Sequence, residues 1–95
     1  DALNILTAKN GSEALDIIKQ HQIDCVVSDI KMPVMDGLTL CRLTHELGYE
    51  IPFIFCSGHA CELLEKKSKD VGGLALLPKP CFLEIEEMVH GLLFT

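Results

Sequence analysis

Short apolar runs alternate along this chain with longer stretches in which apolar residues return every three or four positions. The runs Leu3–Ala8 (LNILTA), Ile23–Ser28 (IDCVVS), Ile51–Cys56 (IPFIFC) and Leu74–Leu77 have the length and content of strands. The third is almost wholly apolar, as expected of a strand covered on both faces. Between the first two runs, Ala14, Leu15, Ile17 and Ile18 recur at helical spacing behind Asn10, which with Glu13 three positions later resembles a capping box. Leu38, Leu40, Cys41, Leu43, Thr44 and Leu47 predict a second helix, stopped by Gly48. A third, with Glu62, Glu65, Lys66 and Lys67 on its solvated side, starts near Ala60 and ends at Gly72 and Gly73. Pro78-Lys79-Pro80 breaks the fourth run, and Phe82–Leu93 predicts a final amphipathic helix.

The order β-α-β-α-β-α-β-α calls for a parallel sheet with right-handed crossovers and helices on both faces, a doubly wound α/β fold. With no internal repeat, linker or low-complexity stretch, residues 1–95 are read as a single domain.

Composition narrows the function. The 95 residues are 48% hydrophobic and 23% charged, with a net charge of -6 and no basic run, which argues against direct nucleic-acid binding. No apolar stretch approaches the roughly 20 residues that span a bilayer, and the first residues lack signal-peptide character, so no membrane association and a cytoplasmic location are expected. The five cysteines, Cys25, Cys41, Cys56, Cys61 and Cys81, form no CxxC or zinc spacing. Cys25 and Cys56 fall inside apolar runs and are expected to be buried free thiols, in keeping with a reducing cytosol.

In such folds ligands bind beyond the carboxyl ends of the strands. Those exits hold Asp29, Ser57 and Lys79, which together supply a nucleophilic carboxylate, a hydrogen-bond donor and a cation. A phosphoryl-accepting site requires that combination. Each residue also has a plain structural role available: Asp caps loops, Ser before Gly makes turns, and Lys beside Pro is often simply solvated.

The string SDIKMPVMDG from Ser28 to Gly37 is similar to the signature of response-regulator receiver domains, in which a phosphorylated aspartate ends a strand and a Met-Pro and a Gly follow. Ser57-Gly58 resembles the family's Ser/Thr with its small neighbour, and LPKP from Leu77 to Pro80 its Lys-Pro motif. The resemblance spans essentially the whole chain and implies a flavodoxin-like receiver fold. It implies that Asp29 takes phosphate from a histidine kinase or phosphotransfer protein, and that Ser57 and Lys79 contact the phosphoryl oxygens. Met32 and Pro33 would shape the loop over the site, and the peptide between Lys79 and Pro80 would be cis.

The sequence also departs from the family pattern. Complete receivers open with a strand ending in an acidic pair, which holds Mg²⁺ together with the phosphorylated aspartate and a loop carbonyl; here the metal ligands reduce to Asp29 and the backbone carbonyl of Lys31. The expectation is therefore a partial receiver lacking its first strand and helix, with Mg²⁺ implied for the complete domain but poorly held by this chain, and phosphorylation slow or absent. The absent strand would lie between Leu3–Ala8 and Ile23–Ser28, leaving a gap to be closed by an upstream segment, by repacking of the first strand against the next, or by a second chain through dimerisation or domain swapping. Leu76 stands where the family usually has an aromatic switch residue and is read as core. The resemblance implies that Lys31 and His59 flank the site at positions that vary in the family and tune acyl-phosphate hydrolysis.

The leading reading is a phosphoacceptor switch of a two-component phosphorelay, a signalling protein and not an enzyme, acting on a downstream protein partner or fused output domain. A degenerate receiver serving as a phosphorylation-independent interaction or dimerisation module is the alternative. A small α/β phosphatase is the third, and no Cys-x5-Arg loop supports it.

Overall fold

A computed structural model describes residues 4–58 and 61–79 together with Glu87, His90 and Gly91. Four strands, β1 (Ile5–Ala8), β2 (Cys25–Asp29), β3 (Phe53–Ser57) and β4 (Ala75–Pro78), alternate with three helices, α1 (Gly11–Gln20), α2 (Gly37–Glu46) and α3 (Glu62–Asp70). All pairs are parallel and the sheet order is β1-β2-β3-β4. The α/β architecture read from the element order is the one observed. The final helix expected over Phe82–Leu93 lies largely outside the described residues, where only Glu87, His90 and Gly91 are seen to be helical.

Local chemistry sets the ends of the elements. Asn10 caps α1, its side-chain oxygen accepting from the Ser12 N–H at 2.9 Å and the Glu13 N–H at 3.3 Å. Asp36 caps α2 by accepting from the Thr39 N–H at 2.7 Å. Gly48, at φ 95°, takes the left-handed position just past α2 that a side chain would strain.

Alternation along the strands fills both sides of the sheet. Ala8, Val26, Phe53 and Phe55 join Ala14 and Ile18 of α1 and Leu40 and Cys41 of α2 in one core. Cys25 and Ile54, one position out of phase with them, are also fully buried. Burial on both faces is what a parallel sheet needs, since neither face can be left to water without exposing apolar side chains.

Within residues 4–79 the neighbour of β1 is β2. Ile5 pairs with Cys25, Leu6 with Val26, Thr7 with Val27 and Ala8 with Ser28, so β1 lies directly on β2. The start of α1 is drawn close to the loop after β2, and a Cβ on Gly11 would come within 2.6 Å of the Met35 Cβ.

The expectation for Cys56 is overturned. Cys25, Cys41 and Cys61 are free, whereas Cys56 is disulfide-bonded. Its burial, 5% exposed, was legible from the apolar run, but hydrophobic context alone does not separate a buried thiol from a buried half-cystine.

Candidate functional site

Asp29 is the last residue of β2 and Ser57 the last of β3, while Lys79 directly follows β4. The register pairs Asp29 with Cys56 and Ser57 with Pro78, so the three strand ends stand side by side at the spacing of adjacent strands, about 4.8 Å. The Lys79 backbone N–H donates to the Ser57 carbonyl at 3.0 Å, and the Lys79 Nζ donates to Asp29 Oδ1 at 2.5 Å. The residues singled out in the sequence are thus brought to one rim. They border a cleft of about 220 Å³ whose remaining walls are Ile30, Lys31, Cys56, Gly58 and Leu64.

The loop after β2 holds Asp29 from behind. The buried Ser28 hydroxyl donates to the Asp29 carbonyl at 2.7 Å and lies 3.6 Å from the Met32 sulfur. Gly37 is pressed so closely on the Asp29 backbone that a Cβ would collide with the Asp29 carbonyl and lie 2.8 Å from the Ser28 Oγ. Its own N–H donates to the Ile30 carbonyl at 2.8 Å. Between these anchors the Met35 N–H donates to the Pro33 carbonyl at 2.7 Å, closing a γ-turn around Val34, whose φ of 69° is strained for a β-branched residue. The sequence fragment MPVMDG therefore works as a clasp: Pro33 presets the turn, Asp36 starts α2, and Gly37 permits the close approach.

Electrostatically the cleft suits an anion. One carboxylate, Asp29, faces two ammonium groups, Lys31 and Lys79, and Asp29 and Lys79 remain about half exposed, so an incoming group can reach them. The same donor set does not fit Mg²⁺, which needs oxygen ligands in octahedral array and takes carboxylates with phosphate oxygens and waters. Asp29 is the cleft's one carboxylate among the described residues and is already engaged by Lys79; no group of three or more His, Cys, Asp and Glu positioned for a metal occurs among those residues. His59 and Pro80, with the peptide expected to be cis, lie outside the described residues. Leu76 is half-buried against the core, as its apolar character predicts.

Sequence reasoning missed Ile30 and Leu64 as walls of the cleft, and Cys56 as a half-cystine within it. Leu64 carries no signal of its own: it is one apolar position on α3, and only the packing of that helix brings it over the rim. For Cys56 the apolar run IPFIFC gave burial but no sign of a disulfide.

Comparison with known proteins agrees with this geometry. The family described as the response regulator receiver domain matches residues 1–91. The sensor histidine kinase RcsC of Escherichia coli is 34% identical over 79 residues, which cover 83% of this chain and 8% of that protein. The response regulator MprA of Mycobacterium sp. (strain KMS) is 36% identical over 77 residues, 81% of this chain and 34% of that protein. The chain thus spans about a third or less of the length of these relatives. The structure titled as the CheX-CheY-BeF3-Mg+2 complex from Borrelia burgdorferi superposes with a TM-score of 0.86 at 24% identity, covering 98% of this chain and 90% of that one, a likeness of fold. Strand ends that gather Asp29, Ser57 and Lys79 on a parallel sheet, and a family match over nearly the full length, lead to one assignment: the chain belongs to the response regulator receiver domains of two-component signalling.

Proposed function

We propose that Asp29 is the phosphoacceptor of a phosphorelay switch, and that residues 1–95 act as one partial receiver domain. The observation that carries this reading is the Asp29–Lys79 ion pair at the strand exits, with Ser57 bonded to the Lys79 backbone beside it. A carboxylate oxygen of Asp29 attacks the phosphorus of a phosphohistidine on a kinase or phosphotransfer protein. The P–O bond to Asp29 forms as the P–N bond breaks, and the donor imidazole leaves with the electron pair of that bond. Lys79 transfers its ammonium hydrogen bonds from the carboxylate to a phosphoryl oxygen, and the Ser57 hydroxyl donates to another, so that the added charge is met by a cation and a donor. Redistribution of these bonds on β3 and β4 then alters how a downstream protein or fused output domain is bound. Mg²⁺ belongs to the complete domain, where an acidic pair joins Asp29 and the Lys31 carbonyl.

A second reading is favoured by the cleft's single carboxylate among the described residues: a degenerate receiver that binds a protein partner or a second copy without phosphorylation. Acetyl phosphate separates the two. The phosphoacceptor reading expects a phosphoryl mass increase mapped to Asp29, absent in Asp29→Asn, with incorporation quickened when a complete N-terminal segment is present. No incorporation in a form carrying the acidic pair would leave the interaction module as the function.

A further inference from the structure

His45 stands in the last turn of α2 with a backbone carbonyl at each ring nitrogen: the Val71 oxygen lies 3.2 Å from Nδ1 and the Ile51 oxygen 2.9 Å from Nε2. A carbonyl oxygen only accepts, and a neutral imidazole carries one N–H, so the neutral ring serves one of these carbonyls while a lone pair faces the other. The imidazolium, with two N–H groups, serves both. We propose that His45 is a proton-operated staple: protonated, it ties α2 to the approach to β3 and to the end of α3 at once, and neutral, it releases the end of α3.

The surroundings fit a cation. Val71 is the C-cap of α3, and His45 is itself in the last turn of α2, so the ring sits where two helices present the negative ends of their dipoles. The Phe53 ring meets the imidazole edge-to-face, with centroids 5.7 Å apart at 83°, and holds its plane. Gly72, at φ 88°, leaves room for it, since a Cβ there would come within 2.9 Å of Nδ1. Two titratable side chains face the ring among the described residues: Cys41, one turn earlier on α2, and Glu50, which borders the same hollow just before β3. Beside it the approach to β3 offers the Ile51 carbonyl and the end of α3 the Val71 carbonyl, while Lys66, Lys69 and Asp70 of α3 border a separate hollow.

Cys41 supplies the release. Its thiol lies 3.4 Å from the Val71 oxygen and 3.8 Å from Nδ1, and burial keeps it a donor by pushing its ionisation up to about 12. When Nδ1 gives up its proton, the thiol turns from the carbonyl to the ring's lone pair, and the Val71 oxygen loses both donors. The turn that leads through Gly72 and Gly73 into β4 then depends on its backbone bonds, from the Gly73 N–H to the Ser68 carbonyl at 2.7 Å and from the Leu74 N–H to the Phe53 carbonyl at 2.8 Å. Histidine is the side chain whose ordinary titration falls between about pH 5 and 8, so the staple closes on acidification and opens as pH rises.

The test reads the ring and the turn by NMR on the full chain at about pH 6 and about pH 8. In the acidic sample both ring nitrogens of His45 should show the shifts of protonated nitrogen, and in the alkaline sample only one. Amide exchange at Gly73 and Leu74, corrected for its intrinsic dependence on pH, should be about threefold or more slower in the acidic sample. His45→Gln should lack that difference, whereas Glu50→Gln and His21→Gln, the latter altering an exposed histidine, should keep it. A single protonated ring nitrogen in the acidic sample overturns the proposal, as does equal corrected exchange in the two samples or a difference that persists in His45→Gln. The ring spectra and the exchange of the unaltered chain decide by themselves should His45→Gln fail to fold.

Discussion

Asp29, Gly37 and Cys41 show three different ways in which one residue governs this domain. The Asp29–Lys79 pair is short but about half exposed, and ion pairs of that kind contribute about 0–1 kcal/mol to folding. Asp29→Asn should therefore shift the urea midpoint only slightly while removing any phosphoryl uptake; a loss of folding would show that the carboxylate is structural. Gly37 is the opposite case. Its missing side chain lets α2 start against the Asp29 backbone, so Gly37→Ala should cost about 1–3 kcal/mol in chemical denaturation, the usual range for overpacking. Cys41, buried on α2 with its thiol donating to the Val71 carbonyl at 3.4 Å, is pushed by burial up to about 12 from 9.0. A group whose ionisation is raised by folding contributes stability that is intact below the unfolded value and lost as pH rises through the folded one. Stability should thus fall between pH 9 and about 12 by about 1.4 kcal/mol per pH unit from this residue, a slope that Cys41→Ala should lack. The sequence announced Asp29 through its position after an apolar run, and Gly37 only through the signature-like string that it closes. The contact that makes glycine necessary there depends on the angle at which α2 meets β2, and no local pattern encodes that angle.

Among the elements, those with strong periodicity were legible and their boundaries less so. Each strand begins one or two positions later than its apolar run: Leu3–Ala8 became Ile5–Ala8, and Ile51–Cys56 became Phe53–Ser57. Apolar residues before a strand can be buried without joining its ladder, as Ile51 is, and Ser57 or Asp29 can end a ladder although polar. These shifts matter for function, because they make Asp29 and Ser57 the terminal paired residues of their strands and not the first residues of loops. The α1 cap was read correctly in kind: Asn10 accepts from two backbone N–H groups. Asn10→Ala should lower stability by about 1 kcal/mol, measured by thermal or urea unfolding, and Asn10→Ser should restore most of it. Unchanged stability in Asn10→Ala would mean that packing of α1 against the loop at Met35, through the contact at Gly11, holds the helix start without its cap.

At the scale of the whole molecule, the element order implied a parallel sheet but left the neighbour of β1 open, since alternation fixes which face a residue takes and says nothing about which strand lies beside it. In the structure that neighbour is β2, and the consequence is a sheet whose first strand in the described order is far less covered than β3. All but the last of the five residues of β3 are buried, whereas in β1 only Ala8 is, and Ile5 is 42% exposed. Local opening is governed by buried apolar contact, so the strands should differ in the free energy at which their amides exchange. The amides of Phe53–Ser57 should be among the last to exchange and should report global unfolding, while those of Ile5–Ala8 should exchange at least tenfold faster. Cross-strand NOEs between Leu6 and Val26 should be present, as direct pairing requires. The same measurement on a form extended upstream with a strand ending in two acidic residues gives the sharper result. A strand inserted between β1 and β2 must break those four residue pairs, so the Leu6–Val26 NOEs should vanish, β1 should become protected, and phosphoryl uptake at Asp29 should rise in the same sample. Retention of the NOEs in the extended form would show that β1 belongs beside β2 whatever precedes it, and would turn the balance toward a receiver that signals by binding alone.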